Sequence, residues 1–174
     1  MQSGIRRSCL RVRAVWATRQ TETPGSSVRL KVLRGRIDIS QDMEGGVVVL
    51  ACIDLGEEEA AASAHAVRVF IEERFRLPTI SGDDVLELRE LTAVADELGA
   101  PASAGAVRTL VFNPARLNLY RDALTSFVDS RDEAGWVRDE DRGPLARVRP
   151  LLPELGELSK EAVRAAHSPV PRVG

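Results

Sequence analysis

Hydrophobic and polar positions alternate from residue 28 onward. Val28, Leu30 and Val32 interleave with Arg29, Lys31 and Leu33, the period of two of a strand with one polar face. The phase then slips, because Ile37 and Ile39 have the opposite parity from Val28. A bulge at residues 33 to 35 would restore it, and glycine at 35 suits a bulge. After the turn QDMEGG comes GVVVLACIDL, β-branched and apolar on both parities, which predicts a strand covered on both faces. The two strands form a β-hairpin.

The period then becomes helical. Residues 57 to about 76 place Ala60, Ala64, Val67, Phe70 and Ile71 on one face, and Pro78 ends the helix. The next helix has a marked start, with Ser81 at N-cap, Asp84 at N3, and Ile80 and Val85 at the staple positions. Leu88, Leu91, Ala95 and Leu98 form its stripe, and Gly99 serves as its C-cap. AVRTLVF, residues 106 to 112, predicts a third strand. Asn113 and Pro114 follow at N-cap and N1 of a third helix. Its apolar face is Leu117, Tyr120, Leu124, Phe127 and Val128, and it ends near Gly135. PLARVRPLL and SKEAVRAA predict shorter helices broken by Pro150 and Pro153, with Ser159 as a cap.

These elements predict an α+β fold. A small three-stranded sheet, made of an N-terminal β-hairpin and one later strand, packs with helices in the order β-β-α-α-β-α-α-α. The link from residue 76 to 82 is short, so the first two helices form an antiparallel hairpin. The third strand then runs antiparallel to the second. The strand ends at Asp54 and Asn113 fall at opposite edges, unlike the shared ligand crevice of a parallel α/β sheet.

A chain of 174 residues suffices for one core, here a single domain over residues 28–166. No apolar run approaches the ~20 residues of a membrane helix. The net charge of −2 is unevenly spread: residues 1–27 carry +4 and the remainder −6. The basic arm is expected to be a disordered tail joined by the linker TETPGSS, or sequence read through from an early start codon. Arginines interrupt its apolar positions, which argues against a secretory signal. Residues 167–174 are expected to be a disordered tail. The acidic body disfavours nucleic acid as a partner. With 22 arginines against 2 lysines, the composition points to a GC-rich bacterial genome. Two cysteines, Cys9 and Cys52, make no disulfide framework, so a reducing cytoplasm is the expected location.

Candidate chemistry is sparse. The stretch ACIDLGEEEAAASAHAV, residues 51 to 67, holds Cys52, Asp54, Glu57, Glu58, Glu59 and His65. Three glutamates opening a helix complement its dipole, by ~0.3–1 kcal/mol each, and would repel a phosphate. His65 falls off the apolar face and has Ala61, Ala62, Arg68 and Val69 one turn away, so it is expected to be a surface histidine. Cys52 is expected to be a small buried hydrophobe. Walker A, G-x-G-x-x-G, G-x-S-x-G, C-x-x-C and H-E-x-x-H patterns do not occur. No catalytic residue, metal ligand or cofactor is assigned. The mixed cluster RDEDR, residues 138 to 142, is expected to be a solvated face.

Ligand binding is best placed at the third-helix entry, where Asn113, Arg116 and free helix N–H groups could hold an anion. Trp136 is a lid over the core or an interface anchor, with core preferred. The second apolar row of strand two, including Val48 and Leu50, must be covered by the C-terminal helices or by a second copy across a two-fold axis. The second copy is slightly favoured, and Val48, Leu50 and Trp136 are the interface candidates. The functional expectation is a cytoplasmic, non-catalytic binding, interaction or regulatory module whose partner is another protein or itself. The alternative is a small enzyme using Asp, Glu or Arg side chains in a cleft between sheet and helices.

Overall fold

Three antiparallel strands in the order β1-β2-β3 form the sheet, with β2 in the centre. The computed structural model describes residues 34–41, 47–101 and 105–167. The basic arm, the linker, the start of the predicted first strand, most of the QDMEGG turn and residues 168–174 lie outside the described residues. β1 (Arg34–Gln41) and β2 (Val47–Leu55) form the expected hairpin. Helices α1 (Glu57–Phe75) and α2 (Gly82–Gly99) follow. Then come β3 (Arg108–Phe112), α3 (Pro114–Ala134), α4 (Asp139–Val148), a 3-10 turn (Arg149–Leu151) and α5 (Leu152–His167). The order and the antiparallel placement of β3 against β2 are those of an α+β fold read from the pattern.

Strand parity sorts the sheet into two faces. Ile37, Val49, Ala51, Ile53, Leu55, Leu110 and Phe112 are buried on the inner face. They pack against α3 and α5, whose own core residues include Leu117, Tyr120, Phe127, Leu155 and Ala162. Each such Ile, Leu or Phe contributes about 1.5–3 kcal/mol on burial. Helix α1 packs on α3 and α4 and pairs with α2 in the predicted hairpin. Phe112 stacks on Tyr120 with ring centroids 5.2 Å apart, joining the end of β3 to the helix that follows it.

Several local expectations change. The β1–β2 ladder is unbroken from Arg34 to Gln41, so Gly35 is a regular paired residue. Its small size has another cause: a Cβ there would meet the Leu158 side chain of α5 at 3.2 Å. That contact also places α5 on the inner face, since Gly35 shares its parity with Ile37. The C-terminal helices therefore do not cover the second apolar row of β2. Val48 and Leu50 on the outer face are half-buried, and Val111 beside them is 46% exposed.

The C-terminal third is more continuous than expected. α4 begins at Asp139, ahead of the predicted segment, because three acidic residues suit a helix start. Pro150 sits in the 3-10 turn and Pro153 in the first turn of α5, where no intrahelical N–H is needed. α5 then runs unbroken to His167, which extends the helix one residue into the expected tail. Ser159 is not a cap. It is buried in mid-helix, accepts from Arg121 Nη1 at 3.2 Å and donates to Asn118 Oδ1, tying α5 to α3. Gly99 is the last helical residue of α2, and Ala100 takes the C-cap position.

Candidate functional site

The predicted candidates occupy separate places. Asn113 caps α3, its Oδ1 accepting from Arg116 N at 2.8 Å. The Arg116 guanidinium lies 5.8 Å from the Phe112 ring centroid and 3.6 Å from Glu90 Oε2. Both residues thus have partners within the chain. Trp136 is not core. Gly135, at φ 69°, turns the chain out of α3, and the indole is left 64% exposed. It lines an open groove of about 590 Å³ with Val137, Arg142, Leu145 and Arg149. Val48 and Leu50 lie on the outer sheet face, in an arrangement separate from that groove.

Around Cys52 that outer face is polar. The thiol donates to Asp38 Oδ2 at 3.4 Å, and Arg36 Nε donates to the same oxygen. Burial pushes the thiol pKa up and the bond to Asp38 adds to this, against the opposing effect of Arg36. At the end of β2, Thr109 Oγ1 donates to Asp54 Oδ1 at 2.5 Å. The three glutamates all have partners within the chain. Glu59 accepts from Gly56 N, Glu57 from Gly105 N, and Glu58 pairs with Arg147 of α4.

His65 departs from its expected role as a surface residue. Its Nε2 lies 2.7 Å from Asp141 Oδ1, a carboxylate brought by α4 from 76 residues away. Asp141 also accepts from Arg131 Nε at 3.2 Å, and Arg131 Nη1 donates to Glu73 Oε1 at 2.9 Å. The chain His65–Asp141–Arg131–Glu73 alternates donor and acceptor side chains and joins α1, α3 and α4. Phe127 forms its apolar floor. Arg131 lies 4.3 Å from that ring's centroid, and His65 meets the ring edge-on at 6.0 Å. The side chains of Asp141 and Arg131 are 4% and 9% exposed. Burial alone would raise the Asp141 pKa, but the hydrogen bond from His65 and the charge of Arg131 outweigh it and hold the pKa below the usual carboxylate value. With the carboxylate ionised, His65 Nε2 is the donor.

Asp141 belongs to the RDEDR cluster. Arg138, Asp139, Glu140 and Arg142 are exposed as expected, and Asp141 alone turns inward. No run along the sequence signals this, because its partners come from two other helices. A second buried polar pair lies deeper. Ser63 Oγ and Tyr120 Oη are buried without completing a hydrogen bond of normal geometry. Burial raises the Tyr120 pKa, opposed in part by the nearby Ser63 hydroxyl. Among the described residues, no group of three or more His, Cys, Asp or Glu side chains converges so as to hold a metal ion. No helix among them is long and apolar enough to cross a membrane.

A different feature stands out at the far end of the α1–α2 hairpin. No residue of α1 beyond Val67, and none of α2 before Leu88, is fully buried. The helix ends and the link between them expose Phe75 (56%), Leu77 (47%), Val85 (50%) and Leu86 (62%). The end is nonetheless well built. Ser81 Oγ accepts from Asp84 N, Asp84 Oδ2 accepts from Ser81 N, and Arg74 lies 3.6 Å from Asp84 Oδ1 across the two helices. Hydrogen bonds from Ser81, with the charge of Arg74 nearby, lower the Asp84 pKa against a small opposing effect of burial. Sequence reasoning assigned Val85 to a staple and missed the exposure, since apolar periodicity does not tell a buried stripe from an unpartnered one. No protein-family model matches this chain, and no curated protein and no solved structure matches it significantly.

Proposed function

We propose that this protein is a non-catalytic interaction module that works by associating with protein surfaces, its own copies first. One observation carries this reading: four large apolar side chains lie exposed at one well-capped end of a helical hairpin. Single exposed hydrophobic residues are ordinary, but several at one end of a helical hairpin favour a surface that associates. Val48, Leu50 and Val111 on the outer sheet face, and Trp136 beside its groove, supply secondary apolar surface of the same kind. The arginine-rich, lysine-poor composition and the missing disulfide framework support a bacterial protein working in the cytoplasm.

Sedimentation of the full chain over the micromolar range tests the reading. A mass that rises with concentration above 19.0 kDa supports it, and a constant 19.0 kDa counts against self-association. The alternative, a small enzyme, is favoured by one observation: the imidazole of His65 is oriented by a buried carboxylate, the arrangement a general base uses. Turnover of simple ester or phosphoester substrates that vanishes in His65→Gln would support it, and the absence of any His65-dependent turnover would remove it.

A further inference from the structure

We propose that β1 is an edge along which two copies of this chain join their sheets, β1 against β1, about a two-fold axis at Ile37. This goes beyond the interaction reading above and uses none of the hairpin-end residues. Among the described residues, β1 has a neighbouring strand on one side only, since the sheet order is β1-β2-β3. On its other side, every second residue points its N–H and C=O outward, a template for a further strand. Folds usually blunt such an edge with a proline, a bulge or a short strand. β1 has 8 residues, RGRIDISQ, holds no proline and keeps an unbroken ladder to β2. The opposite edge strand, β3, has 5 residues. The core is also open at β1. Ile39, and Leu158 of α5 that lies over Gly35, pack against the core but are only partly buried.

The residues of β1 select one register and one occupant. Continuing one sheet into the next keeps the two inner faces on the same side, so residues of like parity meet. A register centred on Ile37 sets Arg36 opposite the partner's Asp38, and Gly35 opposite the partner's Ile39. The neighbouring registers, centred on Arg36 or on Asp38, set like charges directly opposite, which is unfavourable. Arg36 and Asp38 already lie 3.4 Å apart along one strand, both about half exposed. The two-fold axis gives each a second partner across the seam, so that four charges alternate in a square. β1 carries two arginines and one aspartate, so the acidity of the body does not fall on this edge. Size matches as well. Ile39 comes beside the partner's Gly35 and the Leu158 above it, and the two core residues left open at the edge cover each other. An unrelated extended segment would have to bring this pattern of charge and size; a second β1 has it already.

The test compares full-length wild type, Arg36→Asp, Asp38→Arg and an equimolar mixture of the two variants by sedimentation equilibrium over the micromolar range. Wild type is expected to reach at least twice 19.0 kDa. In each variant alone, two attractive pairs across the seam become repulsive, and self-affinity is expected to fall about tenfold. In the mixture opposite charges meet again, and the wild-type affinity is expected to return. Far-UV circular dichroism and the urea midpoint check that each variant folds. If Asp38→Arg loses the fold together with its Cys52 contact, Arg36→Asp alone still reads the seam, and so does amide exchange of wild type over residues 34–41, which should slow as concentration rises. Association that both variants leave unchanged overturns the edge contact and leaves the interaction reading with its contact elsewhere. Association that the mixture fails to restore, or β1 exchange that is independent of concentration, overturns the edge contact as well. A wild-type chain that stays at 19.0 kDa throughout overturns both the edge contact and self-association.

Discussion

Asp141 shows what one residue contributes when three helices converge on it. It faces a histidine on one side and a buried arginine on the other, and removing it leaves the guanidinium in a dry site with half-exposed Glu73 and the Ser130 hydroxyl. Replacing one partner of a buried pair strands the other charge, so Asp141→Asn should cost about 2–3 kcal/mol in urea unfolding. The effect depends on pH. In the unfolded chain an aspartate titrates near ~3.9, and in the fold Asp141 titrates lower. Its contribution is therefore complete above the unfolded value and fades as pH falls through the folded one. The gap between wild type and Asp141→Asn should be widest at neutral pH and narrow below about pH 4. A gap that is constant with pH would contradict this. From the sequence, the residue was one charge among five in RDEDR. Its inward turn follows from the α1–α3–α4 packing, which no local pattern encodes.

At the scale of elements, legibility tracked local chemistry. α2 and α3 start where the sequence says because Ser81 and Asn113 satisfy helix N–H groups with their own side chains. Asn113→Ala should therefore lower stability by about 1 kcal/mol, read as a shift in urea midpoint. A larger loss, or none, would show that the Arg116–Glu90 pair or Pro114 governs the junction instead. α5 differs from the pattern because Pro150 and Pro153 suggest breaks on either side of Leu152. Pro153 lies in the first turn, where it fits, so a helix of 16 residues stands where the pattern predicts only the short segment SKEAVRAA. Gly35 was read as a bulge for its backbone freedom, while the structure uses it to let Leu158 approach. That need arises from an element more than a hundred residues downstream. The same holds for His65, whose partner is invisible from α1.

For the whole molecule, the order of elements and the antiparallel third strand followed from periodicity and loop lengths, while the destination of each apolar face did not. α3 and α5 share the inner face of the sheet, so the outer row of β2 stays half-exposed, and the α1–α2 hairpin extends past its last buried residues. Periodicity marks which residues want cover; only tertiary packing tells which of them receive it from their own chain. The central claim is the proposal that the chain associates with its own copies through this exposed hairpin end. Amide hydrogen exchange of the full chain at low and high protein concentration tests it most directly. The account predicts that amides between residues 72 and 90 become more protected as concentration rises, while those of β3 do not change. Exchange across residues 72 to 90 that is independent of concentration, or protection gained only along β2 and β3, would contradict it.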